Sequence, residues 1–389
     1  MVQKQRLDKK KERITSINFR ILIIGINARN ILGSKMEGFG NYSYELVKRI
    51  TVNHPEQSFV LFFDRLVDPK FVFQSNVKTV VLYPPTRHPF LWVLWFEWSL
   101  KRAMKKYRID LLWSPDGFCS LSSKVPQIAT IHDLNFEHYP KDLPRLVSFY
   151  FRTFFPKFAR KANRILTVSN FSKEDIIQNY GISSTKISVV YNGISDEFRA
   201  LKKEEITEIR QQYTNGKPYF LFVGSLHPRK NIKRLVDAYV EFSLTNSEID
   251  LVIVGNAMWK QEEFNLSNET KARVHFLGHL STKELSRVTG AAFALSYVPY
   301  FEGFGIPLVE AMRCGVPIIS ADGSCLPEIA GDAAIYCDPF SVKDITEKMS
   351  QLADDSALHS SLSEKALDRS SQFSWDLAAN QVWEVLAEK

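Results

Sequence analysis

Residues 300–320 read YFEGFGIPLVEAMRCGVPIIS, and this stretch decides the architecture. Pro307 sits where a first helical turn tolerates proline, and Gly315 sits where a helix usually closes. Together they predict a helix from about Ile306 to Cys314. The preceding AAFALSYVP (291–299) is an apolar run that reads as a buried strand, and GVPIIS (315–320) reads as another. Strand, glycine turn, helix and strand in succession make a parallel βαβ unit. Its turn lies at the carboxyl end of the first strand, where parallel sheets collect ligands.

Outward from this unit the same alternation recurs. FRILIIGI, SFVLFFD, VKTVVLYPP, IDLLWSP, VPQIATIHDLN, ANRILTVSNF and KISVVYNGI read as strands or strand ends, separated by helical segments. In TVSNFSKEDI, Ser172 is the expected N-cap of a helix. Residues 195–216 are highly charged and carry no strand pattern, so they form a junction with a surface helix. The alternation then restarts at PYFLFVG. The expected fold is therefore α/β: two Rossmann-like doubly wound parallel-sheet domains facing across a cleft. The divisions are a disordered basic tail (1–18), a first domain (19–200), a second domain (201–372), and a terminal helix (373–389) packing back toward the first domain.

Composition narrows the classes. The chain has 389 residues, 45% hydrophobic and 24% charged, as in a globular protein with room for two cores. Its four cysteines are scattered without a C-x-x-C pair, which argues against a zinc site and for reduced thiols in the cytoplasm. The first twenty residues lack the apolar core of a secretory signal, and no run of about 18 apolar residues occurs. The net charge of +7 suits anionic partners, but zinc-finger, RNA-recognition and basic-zipper signatures are absent, so nucleic acid is not expected.

The chemistry concentrates at predicted strand ends. The helix start at Ile306 offers unpaired N–H groups and partial positive charge, and Gly303 and Gly305 let an anion approach the backbone. Glu302 and Glu310 flank that point with seven residues between them. Carboxylates repel an anion unless they bind hydroxyls beside it. A diphosphate with a sugar on one side and a ribose on the other fits that demand. Acidic residues serving only the helix dipole are the simpler alternative for Glu310 taken alone. In FVGSLHPRKN, Arg229 and Lys230 follow a strand end and supply counter-charge, at the start of a helix. At the matching face of the first domain lie Gly38, Gly40 and Asn41 in EGFGNYSYEL, and His132 and Asp133 in TIHDLN.

These motifs, with RILTVSNFSKEDI, VVYNGI, LVIVGN, VHFLGHLS and GSCLPEIAGDAAIYCDP, resemble glycosyltransferase family 4, the group 1 transferases of GT-B fold, over nearly the whole chain. The resemblance implies the following roles. Arg229 and Lys230 bind the donor diphosphate beside Gly224. Glu310 holds the ribose, and Glu302 lies by the transferred hexose with Gly303, Phe304, Gly305 and Ile306. Leu277 and Gly278 flank the base. Gly40 contacts phosphate, His132 stands near donor sugar and acceptor, and Asn41 and Asp133 lie on the acceptor side. Relatives often carry arginine where this chain has Ser225, which leaves Arg229 and Lys230 to carry more of the contact. The resemblance further implies retention of anomeric configuration, and no metal or other cofactor, since no D-x-D triplet occurs.

Within the family the likeness is greatest to bacterial mannosyltransferases of O-antigen and capsule assembly. GDP-mannose is the first expected donor, and a UDP- or dTDP-hexose the second. A GT-B epimerase or phosphorylase is the rival reading. A nicotinamide oxidoreductase is disfavoured because Gly38-x-Gly40 comes too late after the first strand and its third position is Ser43. Two segments, HPFLWVLWFEWSLKRAMKKYR (88–108) and RLVSFYFRTFFPKFARKANR (145–164), mix aromatic and basic residues. They suit either helices packed on the first sheet or peripheral contact with the cytoplasmic face of an inner membrane bearing a polyprenyl-linked acceptor.

Overall fold

The computed structural model describes residues 21–32, 38–71, 73–225, 227–255 and 267–388; the basic tail lies outside them. Among these residues, runs of buried Ile, Val, Leu and Phe form thirteen strands in two sheets, with every recorded pairing parallel. The first sheet contains β1 (Ile23–Asn27), β2 (Ser58–Phe63), β3 (Val77–Val81), β4 (Leu111–Ser114), β5 (Gln127–Thr130), β6 (Arg164–Thr167) and β7 (Ile187–Val189). Its order is β3-β2-β1-β4-β5-β6-β7. The second contains β8 (Tyr219–Val223), β9 (Asp250–Val254), β10 (Val274–Gly278), β11 (Ala294–Tyr297), β12 (Ile318–Ala321) and β13 (Ala334–Cys337). Its order, β10-β9-β8-β11-β12-β13, repeats the same winding. Each sheet reverses direction once, between β1 and β4 and between β8 and β11, and the crevice opens at those switch points.

Seven helices matter for the site: α1 (Gly38–Asn53), α2 (Pro89–Leu94, then a π-helical stretch Trp95–Leu100 into Lys101–Lys106), α3 (Arg145–Lys161), α4 (Asn170–Tyr180), α5 (Ile232–Ser243), α6 (Ile306–Arg313) and α7 (Trp375–Ala387). α1 begins at Gly38, so Gly40 and Asn41 belong to its first turn rather than to the loop before it. The cap of α4 is Ser169, not Ser172: Ser169 is extended (φ −157°, ψ 159°) and its hydroxyl accepts from the Ser172 N–H. Ser172 is thereby drawn inside the helix.

One apolar cluster is common to both domains, running through Tyr42, Phe304, Phe373 and Trp375. The outer face of each sheet has its own cluster. The chain crosses back at its end, laying α7 on α1. Trp383 stacks on His54 at 3.7 Å, Trp375 meets Tyr42 at 6.2 Å, and Asp376 pairs with Arg49 at 2.7 Å. Trp375, Val382 and Leu386 are buried there, each stabilising the return by roughly 2 kcal/mol. Gly193 makes the approach possible: a Cβ at that position would lie 2.1 Å from the Trp375 backbone nitrogen.

Candidate active site

Three hydrogen-bond donors converge on one carboxylate oxygen. Glu302 Oε1 lies 2.6 Å from Arg229 Nη1 and 2.5 Å from Lys230 Nζ. It also accepts from the Tyr297 hydroxyl at 3.0 Å, while Lys230 donates to that same hydroxyl at 2.6 Å. The cations come from the loop after β8 and the carboxylate from the loop after β11, neighbouring strands at the switch point. Arg229 and Lys230 do not start α5, as their spacing suggested; they occupy a 3-10 turn, Pro228–Lys230, one residue earlier. Asn231, left-handed at φ 60°, separates turn from helix and donates to Val298 O at 2.9 Å and Pro339 O at 2.6 Å. That pins the cationic turn to the end of β11.

Electrostatics couple the members of the cluster. Burial alone would raise the Glu302 pKa, but Arg229 and Lys230 bring it down to about 2. The two cations respond in opposite senses. Glu302 raises the Arg229 value, whereas burial together with the Arg229 charge lowers that of Lys230. The physical reason is that Lys230 is the more deeply buried of two cations held on one Glu302 oxygen and feels the Arg229 charge beside it, while Glu302 and Asp133 act on both.

Glu310 is the opposite case. It lies on α6, half-buried, and burial pushes its carboxyl from the ordinary 4.5 up to about 8, with no cation contributing. Native protein therefore keeps a proton that the unfolded chain sheds between pH 4.5 and 8, and this group's contribution to stability falls across that window. In Glu310→Gln this fall should vanish. Its gain over wild type should be absent below pH 4.5 and should reach about 2 kcal/mol above pH 8, discounted for partial exposure. Thermal melts from pH 4 to 9 check this; parallel curves for the two proteins would refute it.

Across the crevice, the His132 Nε2–H donates to Pro115 O at 2.8 Å, which leaves Nδ1 without a proton. Burial lowers the imidazole pKa and keeps the ring neutral, packed on Phe39 and Tyr42 at 4.6 and 4.7 Å. A cavity of about 90 Å³ lies here, lined by Phe39, His132, Asp133, Asn192, Gly303 and Ile306 among others. Gly303 is pressed against the first domain, where a Cβ would sit 2.4 Å from His132 O. Gly305 caps α6 at φ 87°, a conformation open to glycine at little cost.

The other expected residues are distributed as follows. Gly224 adjoins Lys230, and Ser225 is exposed beside it. Gly40 is buried and Asn41 half-buried in α1. Phe304 turns its ring into the shared core between Tyr191 and Phe373, so only its backbone faces the crevice. Leu277 and Gly278 close the edge strand β10, apart from the charged cluster. Tyr297 and Asn231 were not anticipated. A tyrosine in an aliphatic strand was the available signal, because a buried phenol requires a partner.

Comparison with known proteins agrees with this geometry. The family model "Glycosyl transferases group 1" matches residues 205–369, and "Glycosyltransferase Family 4" matches residues 37–198. The chain is 28% identical over 365 residues to O-antigen chain mannosyltransferase B of Escherichia coli, covering 89% of this chain and 94% of that protein. It is 29% identical over 257 residues to O-antigen chain mannosyltransferase RfbU of Salmonella typhimurium, covering 64% and 67% respectively. Among solved structures, WaaG, a glycosyltransferase involved in lipopolysaccharide biosynthesis, superposes with a TM-score of 0.74 at 15% identity, covering 95% of this chain and all of that one. With both halves matched and the two-sheet architecture shared, the chain belongs to the family 4, group 1 glycosyltransferases of GT-B fold.

Proposed function

We propose that this glycosyltransferase moves mannose from GDP-mannose, with retention, onto a glycan or polyprenyl-linked acceptor in surface polysaccharide assembly. The observation that carries the reading is the convergence of two cations, Arg229 and Lys230, on Glu302 at the mouth of the second sheet. Mannose as the sugar rests on the names of the relatives.

In this reading the diphosphate takes hydrogen bonds from Lys230, Arg229 and the N-terminal amides of α6. Glu302 stays ionised beside the hexose, and Glu310 meets the ribose hydroxyls. The bond from C1 to the leaving phosphate oxygen breaks while a bond from C1 to the acceptor oxygen forms on the same face. The acceptor proton passes to the departing phosphate. Catalysis is then mainly positioning and charge stabilisation, without a chelated metal.

The decisive experiment is a transfer assay with GDP-, UDP- and dTDP-hexoses on lipid-linked acceptors, reading nucleoside diphosphate release with and without acceptor. GDP-mannose with acceptor-dependent release is expected. Faster transfer from a UDP- or dTDP-sugar would overturn the donor assignment, and full activity in both Glu302→Ala and Glu310→Ala would overturn the site.

Access to a lipid-linked acceptor has a structural counterpart, although a different one from that suggested by the aromatic run alone. Trp95 is fully buried, and Trp92 packs on Tyr150 and Phe151. Phe90, Leu94 and Trp98 remain exposed at four-residue spacing, and Lys101, Arg102, Lys105 and Lys106 follow, all exposed. No helix among the described residues is long and apolar enough to cross a membrane. This strip suits peripheral contact with an anionic bilayer. Flotation on phosphatidylglycerol vesicles should weaken in Phe90→Ser/Trp98→Ser; equal flotation of the variant would remove the strip from the account.

A further inference from the structure

We propose that Ser169, Ser172 and Glu328 form a clasp between the domains that sets His132 against the Gly303 loop, and that these three are positioning residues for sugar transfer. The inference rests on the glycosyltransferase reading of the crevice.

The start of α4 belongs to the first domain, and its free N–H groups are satisfied in an unusual division of labour. Ser169 covers the Ser172 N–H in the ordinary capping manner, at 3.1 Å. The Asn170 and Phe171 N–H groups instead donate to the carboxylate of Glu328, at 2.7 and 2.9 Å. Glu328 comes from the second domain, in the short helix Leu326–Ala330. It also accepts from the Tyr191 hydroxyl at 2.9 Å and from Asn170 Nδ2 at 3.0 Å. An anion is thus delivered from one domain to the positive end of a helix in the other.

The same turn fixes the reacting face. Ser169 Oγ donates to Gly303 O at 2.7 Å, across the domain boundary. Ser172 Oγ donates to His132 O at 2.9 Å and lies 3.4 Å from Gly303 O. Two adjacent hydroxyls therefore hold the carbonyls of the histidine and of the donor loop side by side. None of these contacts reaches Arg229, Lys230 or Glu302, so donor capture and registration are separate tasks. If the crevice opens, Glu328 loses the start of α4 and both serines lose Gly303 O, while Ser172 keeps His132 O within the first domain. Closure restores the lost contacts in one geometry.

The test compares wild type with Glu328→Gln and Ser169→Ala/Ser172→Ala. The amide keeps the size of Glu328 but turns an NH2 donor toward one of the two backbone N–H groups that its oxygens accept from. For transfer, kcat is expected to fall about 10–100-fold, as for a misplacement of about 1 Å, with less than about threefold change in donor KM. GDP binding by titration and the melting temperature should stay near wild type. Small-angle scattering without any nucleotide should show a larger radius of gyration for Glu328→Gln. Wild-type kcat in both variants, or parallel losses of kcat and GDP affinity, would overturn the clasp. The scattering arm uses no sugar donor, so an unchanged radius counts against the clasp even where GDP-mannose proves the wrong substrate. A failed donor assay with an expanded variant counts against the donor alone.

Discussion

Replacing Lys230 by methionine is expected to lower kcat by about 10³-fold while the protein stays folded. Lys230 is 8% exposed, and its ammonium sits between Glu302 and Tyr297. Methionine keeps most of the volume and removes only the charge. What remains is Arg229 opposite Glu302, one cation to one carboxylate, with Tyr297 still donating to Glu302. Glu302 keeps one cation and one hydroxyl donor, and the desolvation cost of a buried ammonium is gone, so the melting temperature should hold near wild type. The diphosphate loses one charged donor at the moment its leaving oxygen gains negative charge, and kcat reports that loss. Initial rates with the best donor, alongside thermal melts, decide the matter. Activity within tenfold of wild type would remove Lys230 from the reaction; collapse of the fold would show that the pair is structural instead.

Gly193→Ala should be a strongly destabilising substitution despite its size. The added carbon would lie 2.1 Å from Trp375 N and 2.5 Å from both Trp375 Cα and Cγ. Backbone atoms cannot rotate away as a side chain can, so either α7 shifts or the Asn192–Gly193 turn does. At least about 3 kcal/mol should be lost, or about 6–12 °C in melting temperature for a domain of this size. Protease cleavage before Trp375 should accelerate as the helix lifts. Gly38→Ala is the control, because nothing lies within 4 Å of a Cβ there. A Gly193→Ala protein that melts with wild type would mean that the contact with α7 is readily relaxed.

Much of this was legible in the residues, and the reason differs from part to part. The strands were readable because parallel strands are covered on both faces; β8 and β9 are buried at every position. The helix α6 was readable because Pro307 and Gly315 bracket it. The pairing of Arg229 and Lys230 with Glu302 was not readable, since it depends on β8 lying beside β11, elements about seventy residues apart. The cap of α4 was missed because both Ser169 and Ser172 are competent; the extended backbone at Ser169 and its contact with Gly303 decide between them. For the tryptophans of α2 the residues left packing and membrane contact both open, because the run is aromatic on every face; in the structure Trp95 is buried, Trp92 packs on Tyr150 and Phe151, and Trp98 is exposed.

The return of α7 also has a meaning in time. A ribosome releases the residues of β1 to β7 first, at roughly 5–20 residues per second. Tyr42 on α1 and His54 just past its end meet Trp375 and Trp383 only after the whole second domain has been made. Throughout that interval the earliest domain is the unfinished one. Its surface is completed by residues made only after the second domain, so a stop codon just before Trp375 strips the α1 face of the first domain.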